Sequence, residues 1–167
     1  MKRRALICLA LLSLTACGLR PLYAGGNESP VVSTLRSVKV SNIGGGQAGW
    51  LMRKKLVDRL GEGGPATPAY RLDVTLDNNI TSYGVRSDEA ATQERITLRA
   101  RFQLVDLRNG MVVLDDTAGS DASIDIVSSE YATVAAEQTS LENLSDVVAD
   151  QIVARLSLYA DRTRRAK

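Results

Sequence analysis

The amino-acid sequence predicts an α+β fold, a two-layer sandwich in which two helices cover one face of a four-stranded mixed sheet that is mostly antiparallel. Two segments, residues 70–76 and 92–105, alternate apolar and polar side chains, as half-buried strands do. Asn109-Gly110 follows the second segment and suits the tight turn of a hairpin. Two further segments carry apolar residues at helical spacing, one before these strands and one at the end of the chain.

The first predicted strand and helix are separated by a run of glycines. Val38 and Val40 alternate with polar neighbours, which predicts a strand over residues 37–43. Gly44-Gly45-Gly46 ends it, and a helix is predicted over residues 47–60. The residues expected on the buried face of this helix are Trp50, Met52, Leu56, Val57 and Leu60.

The remaining elements are predicted to form an antiparallel meander followed by a long helix. The strand that begins at Tyr70 ends at Leu76 or continues to Tyr83, and residues 85–91 form a polar loop before the strand 92–105. The return strand runs from Met111 towards Thr117, and residues 119–129 are small and polar. The last helix begins at Tyr131 or Ser140 and ends near Tyr159.

The predicted order is therefore β-α-β-β-β-α. Because a helical crossover joins the first strand to the second, the first strand is expected to pair in parallel with a neighbour. Two helices suffice to cover one face of the sheet, so the other face is expected to be polar.

The N-terminus predicts export and attachment of lipid. Lys2-Arg3-Arg4 precedes an apolar run over residues 5–14, and Leu14-Thr15-Ala16-Cys17 resembles a lipoprotein processing site. The run is about half of the roughly 20 residues that a membrane-spanning helix needs. We predict a signal peptide over residues 1–16, Cys17 carrying N-acyl (palmitate) and S-diacylglycerol groups, a flexible tether over residues 17–34 and one domain over residues 35–167.

Composition argues against several classes of function. Residues 1–16 hold three basic and no acidic residues, which leaves 18 Lys and Arg against 19 Asp and Glu in the mature chain. A nucleic-acid partner is therefore not expected. Histidine is absent from the sequence, so zinc sites that use histidine and Ser-His-Asp catalysis are excluded. We expect no enzyme activity, catalytic residue, metal or cofactor.

Two motifs suggest chemistry but have simpler explanations. Gly44-x-Gly46-x-x-Gly49 fits a dinucleotide-binding fingerprint, yet the alternating strands are unlike the buried parallel strands of that fold. Asp115-Asp116 is an adjacent carboxylate pair. Adjacent strand residues point to opposite faces, so the pair is not expected to act as an acid and a base together.

The polar side of the strand 92–105 is the main candidate site. Arg99 and Arg101 project from it about 7 Å apart, at roughly 3.4 Å per residue. Arginine forks match phosphate and carboxylate groups, which suggests contact with lipopolysaccharide phosphates or an acidic protein partner. The alternative is a solvated face whose arginines pair across strands with Asp73 or Asp115.

The segment that begins at Cys17, Cys17-Gly18-Leu19-Arg20-Pro21-Leu22-Tyr23-Ala24, resembles the start of the alphaproteobacterial LptE family of lipopolysaccharide-assembly lipoproteins. This resemblance implies a subunit anchored by lipid on the periplasmic side of the outer membrane. It implies a role in plugging and assembling the LptD β-barrel and in inserting lipopolysaccharide into the outer membrane.

Gly18 is consistent with sorting to the outer membrane, and residues 85–91 are a candidate partner contact. An auxiliary lipoprotein of a periplasmic ABC-type lipid transport system is the alternative hypothesis.

Overall fold

A computed structural model describes residues 30–61, 67–85, 91–126 and 129–165. They form three helices and one four-stranded sheet, so the predicted α+β class is confirmed. The elements in chain order are α1 (Pro30–Arg36), β1 (Val38–Val40), α2 (Gly46–Leu60), β2 (Tyr70–Val85), β3 (Ala91–Asp106), β4 (Val112–Asp125) and α3 (Glu130–Arg165).

The strands lie in the order β1-β2-β3-β4. β1 pairs in parallel with β2, with Val38 opposite Tyr70, as the crossover rule predicts. β2 and β3 pair antiparallel from Tyr70 and Asp106 to Val85 and Ala91. β3 and β4 are also antiparallel, with one irregularity between Leu104 and Val105. The order of the strands along the chain is thus their order in space.

The helices cover one face of this sheet, as predicted. β3 supplies the centre of the core because its alternate side chains are fully or almost fully buried. Those side chains are Ile96, Leu98, Ala100, Phe102 and Leu104. Met52 and Leu56 of α2 and Ile152 of α3 are also fully buried. They belong to the same hydrophobic cluster as the β3 side chains.

The first helix is an element that the predicted order lacks, and it begins inside the predicted tether. Residues 30–34 were expected to be flexible, but they belong to α1. Pro30 is its first residue, a position where a missing backbone N–H costs nothing. Val31 and Leu35, four residues apart, are both buried in the core. Burial of these two side chains explains why so short a segment is helical.

Two other elements are longer than predicted. β4 continues to Asp125 instead of ending near Thr117, and α3 extends from Glu130 to Arg165. None of the helices in the described ranges is both long and apolar enough to cross a bilayer.

The expected burial of Trp50 is wrong. Its side chain is 63 % exposed, and its ring lies 5.6 Å from the Nζ atom of Lys54. Trp50 therefore lies on the outer surface of α2, where an apolar body beside a cation is stable in water.

The glycine motif before α2 has a role in packing. Gly45 and Gly46 have positive φ angles of 99° and 60°, which favours glycine at both positions. A Cβ atom on Gly49 would lie 2.3 Å from the carbonyl oxygen of Gly44 and 2.5 Å from that of Ile43. The first turn of α2 thus packs directly against the backbone of the preceding loop. The antiparallel pairing of β2, β3 and β4 is consistent with rejecting the dinucleotide-binding reading.

We predict that Gly49→Ala destabilises the domain by about 1–3 kcal/mol, because overpacking against a rigid backbone outweighs the helix propensity of alanine. Gly44→Ala is the matched control, since a Cβ atom there meets nothing within 4 Å. It should change the free energy of unfolding by less than about 0.5 kcal/mol. Urea unfolding followed by circular dichroism measures both, and equal effects of the two substitutions would contradict this packing.

Candidate binding surface on the uncovered face of the sheet

One face of the sheet carries charged and polar side chains and is covered by no helix of the described residues. We call it the uncovered face and define it by the outward side chains of β3 with their register neighbours on β2 and β4. On β3 they are Arg95, Thr97, Arg99, Arg101 and Gln103. The neighbours are Asp73, Thr75 and Asp77 on β2, and Asp115, Thr117, Gly119 and Asp121 on β4. Arginines and carboxylates are interspersed, so this face is polar without being a basic patch.

Arg101 forms a two-pronged ion pair across the strands. Its Nε atom donates to Oδ1 of Asp115 at 3.1 Å, and a terminal nitrogen donates to Oδ2 at 2.8 Å. Gln103 donates to the same Oδ2 at 2.8 Å. The hydrogen bonds from Arg101, and then that from Gln103, lower the pKa of Asp115 to about 2. The predicted pairing with Asp115 is therefore confirmed.

Arg99 differs from Arg101, although they lie on the same face of one strand. Its register neighbour on β4 is Gly119, and a Cβ atom on that glycine would lie 2.5 Å from Cδ of Arg99. The stem of Arg99 therefore lies across the glycine backbone, in space that another residue would fill. No carboxylate within the described ranges forms an ion pair with Arg99. Of the two predicted site residues, Arg99 is thus the one whose guanidinium is available to a ligand.

Asp73 is bound by groups other than the arginines of β3. Arg71 forms an ion pair with it at 3.0 Å, and the hydroxyl of Ser41 donates to it at 2.5 Å. Burial raises the pKa of this carboxyl, but the hydrogen bonds from Arg71 and Ser41 outweigh burial and lower the pKa overall. The suggested pairing of Arg99 or Arg101 with Asp73 is therefore wrong.

Asp115 and Asp116 point to opposite sides of the sheet, as predicted. Asp115 lies on the uncovered face with Arg101, whereas Asp116 pairs with Arg155 of α3 at 2.6 Å. The two carboxylates therefore belong to separate ion pairs and form no joint acid–base site.

Arg95 extends the cationic row towards the far end of the β2–β3 hairpin. Its guanidinium carbon lies 5.5 Å from the ring centre of Tyr83, a distance at which a cation and an aromatic ring attract each other. The hydroxyl of Tyr83 donates to Ser123 at 3.0 Å. This end of the uncovered face is thus polar across all three long strands.

The opposite end of the sheet has two features that were not predicted from the sequence. A groove of about 530 Å³ runs beside β1 and is lined in part by Lys39, Arg53, Arg71 and Leu107. Asp106 is buried, and Arg108 pairs with it at 2.5 Å. The hydrogen bonds from the Arg108 side chain and backbone lower the pKa of Asp106 to about 2. The alternation of exposed Lys39 with buried Val38 and Val40 in β1 was the available sequence signal for the groove, whereas the Asp106–Arg108 pair depends on the turn geometry.

Two regions with predicted roles lie outside the described residues. They are the lipid-attachment residue Cys17 with the preceding signal peptide, and residues 86–90 of the predicted polar loop. β2 and β3 extend to Val85 and Ala91, so the described strands border this loop on both sides.

A family model described as lipopolysaccharide-assembly, LptE, matches residues 35–156. A search of curated proteins gives no match. Among solved structures, one described as a candidate lipoprotein from Caulobacter crescentus CB15 is 26% identical, with a TM-score of 0.64 over 81% of this chain and 98% of that chain.

Two further solved structures share the fold at low identity. Rare lipoprotein B from Shewanella oneidensis is 10% identical, with a TM-score of 0.59 over 76% of this chain and 98% of that chain. Lipoprotein B from Nitrosomonas europaea is also 10% identical, with a TM-score of 0.56 over 74% and 83% of the two chains.

We predict that Asp115→Asn lowers the stability of the domain at neutral pH and that this loss diminishes in acid. A carboxyl with a depressed pKa stabilises the fold above its unfolded value, 3.8, and that contribution is lost as the pH falls through about 2. Urea unfolding between neutral pH and pH about 2 measures the difference from wild type. In an Arg101→Met background the same substitution should have a smaller effect. An equal effect in both backgrounds would contradict the ion pair.

Proposed function

Because the chain belongs to the LptE lipopolysaccharide-assembly family, we propose that it is the lipoprotein subunit of the outer-membrane lipopolysaccharide translocon. The family match covers residues 35–156, from the end of α1 to the last turns of α3. The match therefore includes all four strands, all of α2 and most of α3. Membership of this family gives the chain a role in lipopolysaccharide transport.

The proposed partner is an LptD-like β-barrel, and the observation that favours it is the one-sided burial of the sheet. α2 and α3 bury the apolar face, so the surface that remains on the sheet is polar and nearly balanced in charge. The interior of a large outer-membrane barrel is also polar. A domain of this kind can fill such an interior without exposing its core, and we propose that it acts there as a plug and assembly factor.

The proposed anchor determines where the domain works. Cys17, N-acylated and carrying diacylglycerol, would hold the chain on the periplasmic side of the outer membrane. Each buried CH₂ contributes about 0.8 kcal/mol, so several acyl chains anchor the protein almost permanently. Thirteen positions separate Cys17 from Pro30, which allows a reach of at most about 45 Å. The domain therefore stays within reach of the periplasmic opening of a barrel in the same membrane.

Contact with lipopolysaccharide is proposed at Arg99 more strongly than at Arg101. A phosphate that approaches Arg99 competes with no carboxylate of the described residues for this side chain. A phosphate that approaches Arg101 must compete with both oxygens of Asp115. The subunit acts by contact and shape and performs no chemical reaction.

We predict that purification of the tagged chain in mild detergent brings down an outer-membrane barrel. Cys17→Ala should move the protein from the membrane fraction to the soluble periplasm and reduce recovery of the barrel, since the anchor supplies the local concentration. Immunoblotting of fractions and mass spectrometry of the bound proteins are the measurements. Recovery of an inner-membrane transporter in place of a barrel would instead support the auxiliary lipoprotein of an ABC-type lipid transport system.

We predict that Arg99→Gln weakens lipopolysaccharide binding by at least about tenfold, because a hydrogen bond to a charged group contributes about 1.5–3 kcal/mol. The double substitution Arg101→Gln with Asp115→Asn is the matched control. It removes one arginine and one carboxylate of the same face, so the net charge is unchanged.

The control should retain binding within about twofold, because a typical exposed ion pair contributes only about 0.5 kcal/mol. Titration of the purified variants with labelled lipopolysaccharide measures both effects. Unchanged affinity of the Arg99→Gln variant would exclude a direct role for Arg99, although capture of the barrel could still be normal.

A further inference from the structure

The turn between β3 and β4 exposes apolar side chains at one end of the domain. Leu107 is 44 % exposed and Met111 is 62 % exposed. Two residues of this kind on one short turn are unusual for a surface connection, where polar residues dominate. They require an explanation other than packing, since the core of the domain lies beneath the sheet.

This turn is rigid, so its exposed side chains are held in place. The backbone N–H and the side chain of Arg108 both donate to the buried carboxylate of Asp106. The N–H of Gly110 donates to the carbonyl oxygen of Asp106 at 2.8 Å, and Gly110 has a φ of 70° that favours glycine. The N–H of Met111 donates to the side-chain oxygen of Asn109 at 3.0 Å. Little conformational entropy is therefore lost when the turn meets a surface.

Pro30, the first residue of α1, lies at the same end of the domain. It lines a cleft together with Tyr70, Tyr159 and Arg164. The rings of Tyr70 and Tyr159 are in edge-to-face contact. Tyr70 is the register partner of Asp106, which begins the exposed turn. Pro30 therefore lies at the end of the sheet at which the turn with Leu107 and Met111 is exposed.

Cations flank the turn on both sides. At the end of α3, Arg164 and Arg165 share the single carboxylate of Asp161, and Arg162 has no ion pair within the described ranges. On the other side, Leu107 lines the groove beside β1 with Arg71, Lys39 and Arg53. Arg71 pairs with Asp73, whereas neither Lys39 nor Arg53 has an ion-pair partner among the residues that the structure describes. This end of the domain thus combines exposed apolar side chains with an excess of positive charge.

We propose that this end, the anchor-side end, docks on the anionic phospholipid surface of the membrane that holds the lipid anchor. Leu107 and Met111 enter the boundary between head groups and acyl chains, and the flanking cations contact lipid phosphates. The proposal rests on the predicted anchor at Cys17 and on the outer-membrane role proposed above. It concerns the subunit at the leaflet surface before it enters the barrel.

Docking needs both the exposed apolar side chains and the flanking cations, because neither set alone binds a bilayer strongly. Two apolar side chains give weak, reversible binding to a bilayer, and each cation near an anionic surface contributes about 1 kcal/mol, or roughly fivefold in affinity. The tether keeps the anchor-side end near the leaflet, which raises its local concentration at the lipid surface. The docked domain is then restricted to the plane in which the barrel opens.

The test uses the mature chain, residues 17–167, with Cys17→Ser, so that binding through the acyl chains is removed. Sedimentation with phosphatidylethanolamine vesicles that contain about a quarter phosphatidylglycerol measures partition to an anionic surface. We expect binding to these vesicles that weakens with salt, and much weaker binding when phosphatidylcholine replaces phosphatidylglycerol. Leu107→Asp with Met111→Asp should reduce the partition about tenfold.

The matched control is Tyr131→Asp with Val134→Asp near the start of α3. These apolar side chains are 86 % and 54 % exposed, and β4, which leads into α3, ends opposite Gln93, far from the turn. This control should bind like the parent. All four positions are exposed, so each variant is expected to fold. Thermal unfolding of each variant checks this.

A second readout locates the contact. Trp50 is the single tryptophan of the chain, so Trp50→Phe removes the native fluorescence. In the variant Trp50→Phe with Met111→Trp, brominated phospholipids should quench the new tryptophan, whereas in Trp50→Phe with Tyr131→Trp they should leave it unquenched. Failure of the Cys17→Ser chain to bind anionic vesicles, equal loss in the matched control, or an unquenched residue 111 would overturn the proposal. Recovery of the barrel tests the proposed function separately, so the two failures are distinguishable.

Discussion

Alternation of side chains along β3 is the constraint on which the rest of the structure depends. Ile96, Leu98 and Phe102 face the helices and are buried, while Arg95, Arg99 and Arg101 face away. A shift of one residue in the pairing of β3 would place arginines under α2 and α3 and apolar groups in water. The burial of one face therefore fixes the register of both neighbouring strands. That register then decides which polar groups meet on the other face.

The uncovered face follows from this register more than from the identity of any one residue. Arg101 meets Asp115 because the alignment of β3 with β4 places Gln103 opposite Asp115 and Arg101 opposite Thr117. Arg99 meets Gly119 in the same ladder and lies across its backbone. Two arginines with the same apparent role thus differ in how far they are free to bind a ligand. The difference arises from β4, because different residues of β4 lie next to the two arginines.

The sequence predicts elements well where one physical signal dominates. Alternation locates β2 and β3, and helical spacing locates α2 and the later part of α3. α1 has only Val31 and Leu35 to bury, too few for a recognisable period, and β4 beyond Thr117 buries small residues such as Ala118. Trp50 was expected in the core because hydrophobicity alone does not distinguish the edge of a buried stripe from its centre. The sequence does not distinguish Asp73 from Asp115 as the partner of Arg101, since the choice depends on the strand register.

Charge is distributed in opposite ways at the two polar regions of the domain, and this separates what each can bind. On the uncovered face arginines and carboxylates are interspersed, so positive and negative charges nearly balance. Arg101, for example, forms an ion pair with Asp115. At the anchor-side end Arg164 and Arg165 share one carboxylate, and exposed Leu107 and Met111 lie among cations. A balanced polar face suits a hydrated protein surface, whereas an apolar turn among uncompensated cations suits an anionic bilayer. One small domain can therefore present a partner surface and a membrane surface without competition between them.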